Sequence, residues 1–200
     1  DADGDGVSEL AGGSPSSFLF PTSVQILSGA TGALLWTWGN LPPDALISAA
    51  APGDLNGDGK VELLVGSSPN GSTGASALAF TQTISTGAFV YSLLTPQGNT
   101  LLGRHMDSAG DVNSDGRDDV VLASTEGLSV FDGSTGAFLR SIDSNEGAPF
   151  LFSLGVSDVA ALGDVNGDGE VDFALGNSSS GGSFFQFDGR VVLLSGLDGS

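Results

Sequence analysis

The sequence predicts an all-β fold made of tandem repeats, and three observations lead to that prediction. Gly accounts for 32 of the 200 residues, and long helix-forming runs of Ala, Glu, Lys and Leu are missing. A nine-residue acidic motif occurs four times, at intervals of 53, 57 and 53 residues. Short apolar segments bounded by Gly, Ser and Asp follow each copy, as expected for strands joined by turns.

The acidic motif is the most regular element of the chain. Its copies are DADGDGVSE (residues 1–9), DLNGDGKVE (54–62), DVNSDGRDD (111–119) and DVNGDGEVD (164–172). An apolar stretch follows each motif, then a second apolar run, a Gly turn and a third run. The turn is Thr-Gly-Ala at 31–33, 86–88 and 135–137, with a degenerate copy at 198–200.

Each repeat is predicted to contain four strands. One more short apolar run precedes each of the last three motifs, and segments such as 24–27, 129–131 and 191–194 have the length and composition of strands. Four antiparallel strands in a unit of about 50 residues are typical of a β-propeller blade. We therefore expect about four blades, with approximate repeats 1–43, 44–100, 101–153 and 154–200, as part of a larger propeller or as an open module that another chain completes.

The acidic motif has the chemistry of a calcium loop. Carboxylate or amide oxygens occupy positions one, three, five and nine, Gly occupies position six, and position seven varies. In a tight loop, alternate side chains converge, Gly six takes the positive φ that folds the loop back, and position seven can offer its carbonyl oxygen. Several hard oxygen ligands suit Ca²⁺, whereas Mg²⁺ requires a more rigid six-coordinate geometry.

Two other interpretations of the motif are weaker. An EF-hand loop ends with a Glu at position twelve, where this chain has Gly12, Val65, Leu122 and Leu175. Solvated Asp-Gly turns without a metal would explain the glycines, but they leave repeated carboxylates that repel one another. We therefore predict about four Ca²⁺ ions and no other cofactor.

The predicted metal ligands are five residues in each loop, with position seven contributing its backbone carbonyl. They are Asp1, Asp3, Asp5, Val7 and Glu9; Asp54, Asn56, Asp58, Lys60 and Glu62; Asp111, Asn113, Asp115, Arg117 and Asp119; and Asp164, Asn166, Asp168, Glu170 and Asp172.

These motifs resemble the FG-GAP repeats of the integrin α-subunit N-terminal propeller and of many bacterial secreted proteins. The resemblance rests on segments 53–66, 110–122 and 163–176 and on the truncated first copy. It implies Ca²⁺ in the four loops, propellers that commonly close with seven blades, and a role in adhesion or in binding a protein or glycan outside the cell.

Composition excludes several classes of function. The chain has 24 acidic and five basic residues and a net charge of −19, so we expect no nucleic-acid binding. No apolar run is long enough to span a membrane, so no direct membrane insertion is expected. Cys is absent, which excludes disulfides and thiolate chemistry. His105 is the only histidine and has no recognisable partner for acid-base catalysis, so we predict no enzyme activity.

Two aromatic residues leave a choice open. Trp36 and Trp38 alternate along a predicted strand and therefore share one face, where they could stack on a sugar or pack between blades. Packing is the commoner role.

The predicted function is a secreted or cell-surface calcium-binding propeller module for adhesion or ligand binding, without catalysis. Its partners would be an extracellular protein or glycan, or further blades of the same or a neighbouring chain. Two alternatives are an accessory propeller of a secreted hydrolase or polysaccharide lyase, and a structural subunit of an extracellular filament or surface layer.

Overall fold

The computed structural model describes residues 3, 5–14, 23–38, 45–59, 61–69, 78–83, 88–93, 105–123, 127–143, 156–177 and 190–196. These residues form strands in four antiparallel sheets. Among them, no helix is long and apolar enough to cross a membrane.

The four sheets follow one another along the chain. Their strands are: sheet 1, β1 (Leu10–Ser14), β2 (Ser23–Leu27) and β3 (Leu34–Trp38); sheet 2, β4 (Ala45–Gly53), β5 (Glu62–Pro69), β6 (Leu78–Thr83) and β7 (Ala88–Leu93); sheet 3, β8 (His105–Gly110), β9 (Asp119–Ala123), β10 (Gly127–Phe131) and β11 (Phe138–Asp143); sheet 4, β12 (Val156–Gly163), β13 (Asp172–Asn177) and β14 (Arg190–Leu194).

Each sheet is an antiparallel meander in which consecutive strands pair. In sheets 2, 3 and 4 the acidic motif joins the first strand to the second, and in sheet 1 the motif directly precedes β1. The strands predicted around 24–27, 129–131 and 191–194 are present as β2, β10 and β14. The all-β prediction of blade-like antiparallel sheets is therefore confirmed.

The sheets stack on one another in chain order. The first strand of sheet 3, β8, lies between the first strands of sheets 2 and 4, and β1 lies beside β4. Three apolar clusters occupy the spaces between sheets 1 and 2, sheets 2 and 3, and sheets 3 and 4. Adjacent sheets packed face to face around their first strands are the arrangement of propeller blades.

Each sheet has two apolar faces because strand side chains alternate between opposite sides. We call the face toward the preceding sheet the leading face and the opposite one the trailing face. In β5, Leu63 and Val65 pack on the leading face against sheet 1, and Leu64 packs on the trailing face against sheet 3. Strands covered on both sides, such as β9, are buried at every residue.

The two tryptophans belong to this packing. Trp36 and Trp38 are partly buried against the cluster that includes Val24 and Leu63, between sheets 1 and 2. Their alternation therefore reflects packing between sheets.

Candidate metal-binding loops

The four acidic motifs form loops of similar backbone shape, here called loops 1 to 4 in chain order. The glycine at position six has a positive φ in every loop, between 83° and 91°. Position four has a positive φ in loops 2 to 4, where Ser114 replaces the glycine and adopts a φ of 62°. A non-glycine residue in this region is strained, so the backbone of loop 3 has a higher conformational energy at position four than that of loops 2 and 4.

The first carboxylate organises each loop by accepting backbone hydrogen bonds. Asp54 Oδ1 accepts from the amides of Gly57 and Asp58 at 2.7 and 3.0 Å, and its Oδ2 accepts from Gly59 at 2.8 Å. Asp164 and Asp111 have the same role in loops 4 and 3. This carboxylate therefore holds the turn around position six.

The side chains at positions three and five accept hydrogen bonds from amides two residues further along the chain. The Oδ1 atom of Asn56 accepts from the amide of Asp58 at 2.9 Å, and loops 3 and 4 repeat this bond at 2.9 and 2.8 Å. The carboxylate at position five then accepts from the amide of position seven, at 2.8 Å in loop 1, 2.9 Å in loop 3 and 2.8 Å in loop 4. The oxygen atoms of alternate positions are thus held close to the loop backbone.

The ninth carboxylate is buried and joins the loop to the sheet. Glu62, Asp119 and Asp172 are 0%, 0% and 1% exposed. In loop 3, Asp119 Oδ2 accepts from the amides of positions two and three at 2.9 and 3.1 Å. Loops 2 and 4 repeat both bonds. Because a buried carboxylate is costly unless it is hydrogen-bonded, these amides are part of the reason it can lie there.

A glycine in the next hairpin donates a further backbone hydrogen bond to the ninth carboxylate. Gly133 donates its amide to Asp119 Oδ1 at 2.9 Å, and Gly196 donates to Asp172 Oδ1 at 3.1 Å. A Cβ atom on either residue would lie 1.9 or 1.8 Å from the carbonyl oxygen of position eight of the loop. No larger residue fits between the hairpin and the loop.

Sequence reasoning missed this glycine. It stands three residues before the glycine of the Thr-Gly-Ala turn, and Gly29 of sheet 1 is equally close to the carbonyl of Ser8. The signal was present as Ser-Gly or Asp-Gly at 28–29, 132–133 and 195–196, but repeat 2 has Ile84 at this place, which lies outside the described residues.

The environments of three carboxylates change their acidity. Burial raises the pKa of Asp119, although the amides of Gly133, Val112 and Asn113 oppose the increase. Asp168 is exposed, and its pKa is lowered first by the hydrogen bond from the amide of Glu170. For Asp132, burial raises the pKa, but hydrogen bonds from Ser134 and Thr135 outweigh it and leave the pKa below its ordinary value.

Neighbouring groups reach the rim of the loops. The Ser195 hydroxyl donates to Asp168 Oδ2 at 2.9 Å, and the Ser134 hydroxyl lies 3.4 Å from Asp115 Oδ2. Arg140 of β11 forms an ion pair of 3.0 Å with Glu170, the position-seven residue of loop 4. The side chain of Glu170 therefore connects loop 4 to sheet 3.

The structure brings the predicted ligands together to different degrees. In loop 1, carboxylate oxygens of Asp3, Asp5 and Glu9 all lie within 4.8 Å of one another. Loops 2 to 4 have an amide side chain at position three, and within the described residues their remaining carboxylates do not form a group of three this close. Asp1 and Lys60 lie outside the described part of the chain. The ligand set as a whole remains a prediction.

Sheets stacked as blades, each preceded by or containing an oxygen-rich loop, define the class as a β-propeller repeat protein. Residues 111–175 match the sequence model of the FG-GAP-like repeat, and residues 47–79 match that of the FG-GAP repeat. Two segments of the chain therefore match models of FG-GAP repeats, in agreement with the resemblance of its motifs.

Comparisons with whole proteins are more distant. A solved structure titled "Structure of Dos1 propeller" is similar to this chain, with 14% sequence identity and a TM-score of 0.45. The similarity covers 88% of this chain and 40% of that one, so the chain spans less than half of the length of that propeller. No curated protein matches significantly in sequence.

Proposed function

We propose that this chain is a calcium-stabilised β-propeller module that binds a protein or glycan outside the cell and has no catalytic activity of its own. The observation that carries the calcium assignment is the convergence of Asp3, Asp5 and Glu9 within 4.8 Å in loop 1. Such closely spaced carboxylates repel one another at neutral pH unless a cation neutralises them.

The donor set of the loops fits Ca²⁺. Carboxylate and amide oxygens at positions one, three, five and nine, together with the carbonyl of position seven, are hard oxygen donors of the kind that Ca²⁺ prefers. When bound, the ion would supply positive charge that offsets the acidic side chains and would cross-link the turn. The chain's own contribution is the network of backbone hydrogen bonds that holds these oxygens near one another without the ion.

Counting bound ions tests the ligand assignment. Asp58→Ala and Asp168→Ala each remove the position-five carboxylate from one loop, so calorimetric titration should show one Ca²⁺ fewer than the four expected for the unchanged chain. Asp118→Ala is the matched control, because it removes an exposed carboxylate of loop 3 that stands at position eight, outside the ligand set. Retention of four ions in Asp168→Ala would contradict the assignment.

Removing calcium tests its role in stability. A site with free Ca²⁺ at 100 times its Kd stabilises the folded state by about 2.7 kcal/mol, so four sites would contribute on the order of 10 kcal/mol. That is comparable to the whole stability of a domain. Thermal melting followed by circular dichroism should therefore shift steeply downward in excess EDTA, and an unchanged melting temperature would rule out structural calcium.

Ligand binding can be tested separately from the metal. Typical FG-GAP propeller repeats are non-catalytic, and the binding role is inferred from the family. The labelled chain, loaded with calcium, should bind members of a glycan array or of an extracellular-matrix protein panel, and EDTA should abolish that binding. No binding to either panel would favour the alternatives of an accessory propeller in a secreted hydrolase or lyase, or of a structural subunit.

A further inference from the structure

Two charged side chains of loop 3 lie against the backbone of loop 2. Arg117, at position seven, places its guanidinium beside Gly57 at position four of loop 2: a Cβ atom built on Gly57 would lie 3.0 Å from Nη2, 3.2 Å from Cζ and 3.4 Å from Nε. Asp118, at position eight, lies beside Gly53, which directly precedes loop 2, and its Oδ2 is 2.6 Å from the corresponding Cβ position. Loop 3 therefore places one positive and one negative charge beside the same neighbouring loop.

Both charges are close to predicted ligands of loop 2. Gly57 stands between Asn56 and Asp58, and Gly53 is followed by Asp54. The amide of Gly57 donates to Asp54 Oδ1 at 2.7 Å, so the residue that the guanidinium contacts also holds the first carboxylate in place. The two side chains of loop 3 are outside the ligand set of loop 2, and they act on it through the electrostatic field.

Loop 3 has different neighbours in the following repeat. Its position four is Ser114, whose side chain occupies the space that a glycine leaves open in loop 2. The position-eight residue of loop 4 is the apolar Val171, whose Cγ2 is 3.5 Å from the Cβ position on Gly110, directly before loop 3. The position-seven residue of loop 4, Glu170, is paired with Arg140 of β11. Loop 4 thus contributes a neutral side chain where loop 3 contributes a carboxylate.

From this difference we propose that loop 3 sets the calcium affinity of loop 2, with Arg117 weakening and Asp118 strengthening the binding of the ion. The inference rests on the proposed function, because it concerns the strength of a calcium site. A nearby cation repels a divalent ion and a nearby carboxylate attracts it, and neither effect requires coordination. Among the described residues Arg117 forms no ion pair, and its side chain is half-buried, so its charge is only partly screened.

Three substitutions separate charge from packing. Arg117→Gln removes the positive charge and should strengthen calcium binding in loop 2 by about three- to tenfold in Kd, the size expected for a unit charge beside an exposed divalent site. Asp118→Asn should weaken it by a similar factor, and the double variant should largely cancel the two effects. Arg117→Lys is the matched control, because it keeps the charge but loses the planar group, and its Kd should stay within about twofold of the unchanged chain.

Nuclear magnetic resonance of the ¹⁵N-labelled full chain in calcium–chelator buffers measures each loop separately. The amides of the position-six glycines, Gly59, Gly116 and Gly169, report on loops 2, 3 and 4. We expect Arg117→Gln to shift the titration of Gly59 and to leave that of Gly169 unchanged. The shift should shrink between about 0.05 and 0.5 M NaCl, because salt screens a charge effect and not a packing effect.

A second measurement does not require the loops to be resolved. Asp58→Ala removes a predicted ligand of loop 2, so in that background Arg117→Gln should no longer change the calcium affinities found by calorimetric titration. Circular dichroism at saturating calcium checks that each variant is folded.

Several results would overturn the proposal. Equal changes in Arg117→Gln and Arg117→Lys would show that packing, and not charge, affects the site. A shift that is independent of salt, or one that persists in the Asp58→Ala background, would place the effect elsewhere. Loss of one bound ion in Asp118→Asn would make Asp118 a ligand. The proposed function fails in a different way, because an unchanged chain that binds no calcium would remove the site itself.

Discussion

Sheets 3 and 4 have closely similar loops but very different faces. In loops 3 and 4 the side-chain oxygens of the first, third, fifth and ninth positions accept hydrogen bonds from the same backbone amides, and in both the hairpin glycine donates to the ninth carboxylate. Leu128, however, is fully buried on the trailing face of sheet 3, whereas Val191 at the same place in sheet 4 is 75% exposed.

The difference shows that a repeat determines its own loop but shares its core with its neighbours. The partners of the loop lie within one repeat, mostly within nine residues, so the loop forms alike in sheets 3 and 4. The apolar faces have no partner within their own sheet, and their burial depends on an adjacent one. This is the energetics expected of repeat architectures, in which stability divides into terms within repeats and terms between neighbours.

The largest expected effect tests the similarity of the loops. Asp119→Ala and Asp172→Ala each leave three amide donors without their acceptor, and a buried unsatisfied donor costs about 1–3 kcal/mol. We expect both substitutions to destabilise by about 3–9 kcal/mol in urea denaturation with calcium present, on the basis of the same cost for each of the three donors. Asp115→Ala and Asp168→Ala, which remove exposed carboxylates, are the controls and should cost less. Unequal losses of stability for Asp119→Ala and Asp172→Ala would show that the ninth carboxylates of loops 3 and 4 do not have the same role.

The next effect tests the difference between the faces. Leu128→Ala removes a fully buried side chain between sheets 3 and 4, and such substitutions cost about 2–5 kcal/mol. Val191→Ala at the matching exposed position should change the free energy of unfolding by less than about 0.5 kcal/mol. Urea denaturation would measure both, and a similar cost for both would mean that the side chain of Val191 is covered in solution.

The hairpin glycines provide a second test of the similarity between loops 3 and 4. Gly133→Ala and Gly196→Ala each place a Cβ atom less than 2 Å from a backbone carbonyl, so the hairpin must move away from the loop. Overpacking of this kind typically costs about 1–3 kcal/mol, and the loss should be alike in the two sheets. Gly12→Ala is a control, because a Cβ atom there meets no atom within 4 Å. Melting temperatures of the three variants would check this, and a harmless Gly133→Ala would show that the hairpin is not held against the loop.

The smallest effect concerns a residue that differs between the two hairpins. Asp132 of sheet 3 stands where sheet 4 has Ser195, and its lowered pKa means that the folded state favours the carboxylate. Its contribution is therefore fully present above the ordinary Asp pKa of about 3.9 and is lost as the pH falls through the lower value of the folded state. Asp132→Ser should destabilise by about 0.5–1.5 kcal/mol at pH 6, the usual net worth of a hydrogen bond.

Denaturation of Asp132→Ser and of the unchanged chain across pH 2.5–7 would check this prediction. The difference between the two chains should shrink below about pH 4, where the carboxylate takes up its proton. A difference that is constant with pH would contradict a role for the ionised group.

Periodicity made much of the fold predictable. The four copies of the acidic motif and the apolar runs between them indicated antiparallel strands and blades, and the positive φ of the position-six glycines followed from the shape of a tight loop. The resemblance to FG-GAP repeats was recognisable from the same residues. These features depend on contacts close in sequence, which a repeated pattern displays directly.

The role of the ninth carboxylate as a hydrogen-bond acceptor was harder to predict from the sequence. The motif suggested a metal ligand, whereas the structure also makes Asp119 a buried acceptor for Val112, Asn113 and the distant Gly133. The link to Gly133 spans 14 residues and depends on how β9 and β10 pair, which brings the hairpin to the loop.

The sequence by itself determined the strand repeats, the loop backbone and the resemblance to FG-GAP repeats, because each depends on local periodicity, on glycine at required positions and on oxygen donors at alternate places. Only the tertiary structure decided that Leu128 is covered while Val191 is exposed, and that Trp36 packs between sheets. The apolar pattern is the same in both repeats, and burial is a property of the neighbouring sheet, which no single repeat encodes.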